Sequence, residues 1–105
     1  MTATQVHGTP ARIEVTAQER LLIGFDFGPR LEAGETVTLA VALLRALATQ
    51  QSYAAGLDGA PQVDGATVRQ WVHQLERGQV YRLEIDATTS TGRVIAMLVD
   101  LAVVN

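Results

Sequence analysis

Seven residues in the second half of the chain favour a particular fold. They read Leu75-Glu76-Arg77-Gly78-Gln79-Val80-Tyr81. A leucine, a glycine and a tyrosine at this spacing are typical of the corner where a chain passes between the two sheets of a β-sandwich. In such a corner Gly78 permits a tight backbone, Leu75 covers the core, and the Tyr81 hydroxyl turns back onto upstream backbone. The alternative interpretation is an ordinary strand tyrosine after an ordinary turn glycine.

The sequence on both sides of this corner alternates between apolar and polar residues, as half-buried strands do. The segment 52–65 is rich in turn residues, and Ser90-Thr91-Gly92 predicts a hairpin between the last two strands. Helical patterns between the strands, which a βαβ arrangement would need, are missing. We therefore expect an all-β protein, an immunoglobulin-like or fibronectin III-like β-sandwich of about seven strands.

Three local predictions follow from the same patterns. Val37, Leu39 and Val41 are expected on one face of a strand. Trp71 is expected in the core, with an exposed interface position as the alternative. The segment 41–51 is ambiguous: a strand should run through Leu43, followed by more strand or by a single helical turn.

The chain length is that of one domain. With 105 residues, it can bury one modest core. Residues 1–12 are polar and predict an N-terminal arm, and residues 13–105 predict a single β-sandwich domain. The arm could dock on a neighbouring protein.

Composition excludes several classes of function. The chain carries a net charge of −3, and its eight basic residues are arginines spread singly, so we expect no nucleic-acid partner. It has no cysteine, which excludes disulfides and thiolate metal sites and fits synthesis in a reducing cytoplasm. No apolar stretch is long enough to cross a bilayer, so we expect no membrane partner.

No group of residues forms a catalytic or metal-binding motif. His7 and His73 lack metal-ligand spacing, and Asp58 and Asp64 each precede a glycine, as turn residues do. We therefore predict no enzyme activity, no cofactor and no metal.

Two residues remain as candidate partner contacts. Asp26 lies between Phe25 and Phe27; if both rings face the core, it faces water, caps a turn or contacts a partner. Tyr53 lies in the turn-rich region and is the aromatic residue that we expect to be most exposed.

Several blocks of sequence resemble a family of phage virion proteins with an immunoglobulin-like fold, the fibre–tail adaptor or tail-associated proteins. The resemblance covers about residues 19–104. The blocks are Ile23-Gly24-Phe25-Asp26-Phe27, Leu31-x-x-Gly34-Glu35-Thr36-Val37, the turn-rich Gly56 to Gly65, Ala66-Thr67-Val68, Gly78-x-x-Tyr81 and Thr88-Thr89-Ser90-Thr91-Gly92-Arg93.

The resemblance implies a non-enzymatic structural protein of the virion, made in the host cytoplasm. Its expected role is that of an adaptor linking tail components or tail fibres. Its expected partners are other tail or neck proteins and the fibres, with several copies in a symmetric ring. The alternatives are a capsid decoration protein or a standalone immunoglobulin-like module that binds carbohydrate or a cell surface.

Overall fold

The computed structural model describes the backbone of residues 4–6 and all of residues 11–104. Residues 1–3 and 7–10 of the predicted arm, and Asn105 of the predicted sandwich domain, lie outside the described residues. The described chain contains nine strands and no α-helix. The strands are β1 (Thr4–Val6), β2 (Ala11–Val15), β3 (Leu21–Asp26), β4 (Val37–Ala46), β5 (Gln51–Ser52), β6 (Gln62–Asp64), β7 (Thr67–Val72), β8 (Val80–Thr89) and β9 (Val94–Val103).

The strands form two sheets that pack face to face. One sheet has the order β1-β3-β7-β6, and the other has the order β2-β9-β8-β4-β5. This arrangement confirms the predicted all-β, immunoglobulin-like sandwich. The count exceeds the predicted seven because the chain also forms the very short strands β1 and β5, which pair over three and two residues.

The core lies between the sheets and is built by strict alternation along the long strands. On β8 and β9 every second side chain is buried, and Phe25 and Phe27 are fully buried. The two strands pair from Val80↔Ala102 to Thr88↔Val94 around a turn at residues 90–92. The predicted hairpin is therefore confirmed.

The predicted face of β4 is wrong. Val37 pairs with Thr89 and Leu39 with Thr88, so Thr38 is an extra residue opposite a continuous β8. Such a bulge reverses the side-chain alternation after it. Val37 is buried as expected, but Leu39 and Val41 point away from the core and are 58% and 49% exposed.

The predicted core position of Trp71 is also wrong. On β7 the residues that face the core are Val68, Gln70 and Val72. Strand geometry then places Trp71 on the opposite, outer face, where it is half-buried. Alternation along β7 cannot bury Trp71 together with Val68 and Val72, and the two valines are the residues that are buried.

The ambiguous segment 41–51 combines both alternatives that the sequence left open. β4 continues as a strand to Ala46. A single turn then follows, closed by a hydrogen bond of 2.8 Å from the N–H of Gln50 to the carbonyl of Ala46. Near the N-terminus, β2 begins at Ala11 and pairs in parallel with β9, so Ala11 and Arg12 of the predicted arm lie in a sheet.

Candidate functional site

The segment 75–81 closes one end of the sandwich. Tyr81 is 1% exposed, and its hydroxyl accepts a hydrogen bond of 3.0 Å from the N–H of Glu76. Gly78 has a φ of +81°, a backbone conformation that favours glycine, and Leu75 is buried beside Tyr81. Burial raises the pKa of Tyr81 above its ordinary value.

Asp26 caps a turn at the end of β3. Its Oδ1 accepts a hydrogen bond of 2.9 Å from the N–H of Gly28, which begins a short 3₁₀ turn, Gly28–Arg30. This is one of the roles that the flanking buried phenylalanines allowed. A contact between Asp26 and a partner stays a prediction.

Tyr53 is half-buried and packs on the corner tyrosine. The centroids of the Tyr53 and Tyr81 rings are 5.0 Å apart. The hydroxyl of Tyr53 donates a hydrogen bond to the carbonyl oxygen of Gln74. One face of the ring is thus occupied within the chain, and a partner contact at Tyr53 stays a prediction.

A buried carboxylate joins two distant turns at the other end of the sandwich. Arg93 binds both oxygens of Glu35, with Nη2–Oε1 at 2.5 Å and Nε–Oε2 at 3.0 Å. The hydroxyls of Thr89 and Thr91 donate to Oε2, each at 2.5 Å, and the N–H of Glu32 donates to Oε1 at 2.8 Å. These donors, the guanidinium first, hold the pKa of Glu35 far below its usual range.

The outer face of the four-stranded sheet is also internally paired. The guanidinium of Arg20 lies 3.8 Å from the centre of the Trp71 ring and binds the carboxylate of Asp58. Nδ1 of His73 lies 3.7 Å from the same carboxylate. The hydrogen bond from Arg20 lowers the pKa of Asp58. The aromatic and charged groups here satisfy one another.

The outer face of the five-stranded sheet differs. We call its central part the β4–β8 face. It comprises the outward side chains of Leu39, Val41, Leu43, Glu84, Asp86 and Leu98. The register places Val41 directly opposite Asp86, and Glu84 between Leu43 and Leu98. Two carboxyl groups thus lie between aliphatic rows.

The two carboxyl groups of the β4–β8 face act on each other. A hydrogen bond with Asp86 raises the pKa of Glu84, and partial burial raises it further, whereas the nearby charge of Arg45 lowers it. Oδ1 of Asp86 is buried and, with both groups ionised, has no donor among the described residues. A depression of about 240 Å³, lined in part by Leu43, Arg45 and Glu84, lies at one end of this face.

Two further observations concern the described residues alone. They contain no group of three or more histidine, aspartate or glutamate side chains placed to hold a metal ion. They also include no helix with the length and hydropathy that crossing a bilayer requires.

Comparison with known proteins identifies the family. The family model described as podophage GP4 fiber-tail adaptor protein gp77 matches residues 16–101. The chain belongs to this family. The match confirms the resemblance drawn from the sequence blocks. No curated protein matches the chain.

Within this fiber-tail adaptor family member, Glu35 and Arg93 connect two of the blocks that carried the resemblance. Glu35 lies in the Gly34-Glu35-Thr36-Val37 strand entry, and Arg93 ends the Thr88–Arg93 hairpin. Sequence reasoning missed their pairing because 58 residues separate them. The presence of a glutamate in one of these blocks and of an arginine in the other was the available signal.

Proposed function

We propose that this protein is a non-enzymatic adaptor that links a tail component to the tail fibres within the phage particle. The observation that carries the proposal is the family match, which spans residues 16–101. The family is described as a fiber-tail adaptor, and the matched region covers all but the first two and the end of the last of the nine strands.

The roles of the charged groups support a structural protein. Glu35 is held by Arg93, and Arg82 binds Asp100 through two hydrogen bonds of 2.8 and 3.1 Å. The first pair joins two turns that are 58 residues apart, and the second joins the neighbouring strands β8 and β9. Both pairs therefore stabilise the sandwich.

Localisation in the particle tests the proposal. We would label intact phage particles with immunogold and an antibody against this protein, and analyse the same preparation by mass spectrometry. Label at the tail or at the fibre attachment points is the expected result. Even label over the head would favour a capsid decoration protein, and absence from purified particles would overturn a virion role.

The N-terminal segment, residues 1–12, is the proposed clasp onto a neighbour. Thr4–Val6 forms only a three-residue parallel pairing with β3, so few hydrogen bonds hold it to its own domain. Because β2 begins at Ala11, a deletion of residues 1–10 removes most of the clasp and keeps β2. We expect the truncated protein to fold with a similar Tm but to be lost from particles; unchanged incorporation would contradict the clasp.

We further propose that several copies assemble in a symmetric ring. Closed rings use two different surfaces of each subunit in head-to-tail contact. Cryo-electron microscopy of tails would give the copy number, and a single copy per tail would contradict the ring.

A further inference from the structure

The β4–β8 face is an aliphatic surface on which large side chains remain in water. Leu39, Val41 and Leu43 are 58%, 49% and 50% exposed, and they follow one another along a single strand. Exposed leucines and valines are ordinary when scattered, but a contiguous row marks a surface that associates with another molecule. No described segment of the chain covers this row, so a surface that covers it must come from outside the described residues.

The edge of β4 that faces away from β8 pairs with a strand only at Arg45 and Ala46. The carbonyl of Leu44 accepts from the N–H of Tyr53, on the side of β4 away from β8. Alternation of an antiparallel ladder then directs the backbone groups of Ala40 and Ala42 to that side, whereas β5 pairs only with Arg45 and Ala46. Most of this edge of β4 therefore has no strand partner among the described residues.

The two carboxyl groups specify the charge of that partner. Glu84 and Asp86 form no ion pair with a described residue, whereas the neighbouring Asp100 is paired with Arg82. Covering the face would remove both carboxyl groups from water, which is costly unless a cation accompanies the covering molecule. A guanidinium or ammonium group above Asp86 would supply donors to its buried Oδ1.

We propose that the β4–β8 face docks a neighbouring tail protein that presents an arginine or lysine side chain flanked by aliphatic residues. The inference rests on the proposed adaptor function and specifies one of its interfaces. The cation binds between Glu84 and Asp86, and the aliphatic residues cover the row on β4.

Charge favours a different protein over a second copy of this chain. In a two-fold contact centred on this face, the same surface meets itself. Glu84 and Asp86 would then face their own counterparts, and like charges brought together in an interface are destabilising. A partner with the opposite charge avoids this repulsion.

A binding measurement on tails tests the charge. Purified tail particles from a phage that lacks this protein would be titrated with the wild-type protein and with the double variant Glu84→Gln, Asp86→Asn. We expect the double variant to bind about thirty-fold more weakly, because the partner's cation loses its counter-charge. The control is Asp64→Asn, which neutralises an acidic residue on the four-stranded sheet and should bind as the wild type does.

Site-specific crosslinking tests the occupant independently. Because the chain has no cysteine, Val41→Cys and the control Thr67→Cys on the opposite face each provide one attachment point for a photocrosslinker. We expect Val41→Cys in assembled particles to crosslink to a different tail protein, in a peptide that contains arginine or lysine among aliphatic residues. Crosslinks only to a second copy of this chain, or none at Val41→Cys, would overturn the proposal.

The outcomes separate this inference from the adaptor function. If wild-type protein does not bind the tails, the adaptor function itself fails. If wild type and the double variant bind equally well, the adaptor function stands and the proposed face is wrong.

Discussion

Glu35 is buried and the Glu84–Asp86 pair is partly buried, and the carboxyl groups of the two sites have very different neighbours. Glu35 receives hydrogen bonds from a guanidinium, two hydroxyls and a backbone N–H, and its pKa is lowered. Glu84 has Asp86 as its hydrogen-bonding neighbour, and its pKa is raised. The first site is complete within the chain, whereas the second forms no ion pair with a described residue, although the charge of Arg45 lies nearby.

Glu35 therefore stabilises the fold, whereas ionised Glu84 destabilises it. A partly buried carboxylate with full hydrogen bonding contributes to the folded state, whereas one beside a like charge opposes it. Natural sequences retain such costs at surfaces used for binding. The four predictions below test the contrast, in order of decreasing expected effect.

Substitution of Glu35 should have the largest effect. Glu35→Gln leaves Arg93 without its counter-charge and lowers the number of acceptors for Thr89 and Thr91. We expect a fall in Tm on the order of 10 °C, measured by thermal unfolding at pH 7. Glu32→Gln is the control: Glu32 is largely exposed and lies 4.0 Å from Arg93, and an equal loss in both variants would contradict the role of Glu35.

Removal of the corner hydroxyl should have the next largest effect. Tyr81→Phe removes the acceptor of a part-buried hydrogen bond from the N–H of Glu76, and we expect a loss of about 1 kcal/mol in the free energy of unfolding. The matched control is Tyr53→Phe, which removes an exposed hydrogen bond from a half-buried tyrosine, whereas Tyr81 is 1% exposed. Chemical denaturation measures both, and equal losses would mean that burial at Tyr81 is unimportant.

The pH dependence of stability should have opposite signs at the two sites. The lowered pKa of Glu35 adds stability above its unfolded-state pKa of about 4.3, and this is lost progressively as the pH falls below that value. The raised pKa of Glu84 gives stability that is fully present below the unfolded-state pKa and lost as the pH rises through the folded-state pKa.

Glu84→Gln should therefore raise the Tm at pH 7, by about 3 °C, and leave it nearly unchanged at pH 3.5. Thermal unfolding over pH 3–8 measures this difference. A variant less stable than wild type at pH 7 would show that Glu84 stabilises the isolated fold.

The smallest effect is expected on the other outer face. Arg20→Ala removes the cation from the Trp71 ring and from Asp58, but the arginine side chain is 53% exposed. Exposed pairs of this kind contribute little, so we expect a fall in Tm of only about 1–2 °C. A loss as large as that of Glu35→Gln would remove the distinction between surface and buried pairs.

Local patterns in the sequence were sufficient for the class of fold and for the family. Alternation predicted the long strands β8 and β9, and turn residues predicted their hairpin, because both depend on neighbours along the chain. The sequence blocks predicted the fiber-tail adaptor family, and each block could be recognised because it is short and contiguous. These features need no knowledge of distant contacts.

Only the tertiary structure decided which side chains face water on β4 and β7. The bulge at Thr38 reverses the alternation that made Val37, Leu39 and Val41 one face, and a bulge is defined by the partner strand. Trp71 lies outside because Val68 and Val72 lie inside. The pairing of Glu35 with Arg93 and the exposed β4–β8 face arise in the same way, since both depend on contacts that the linear order of residues does not contain.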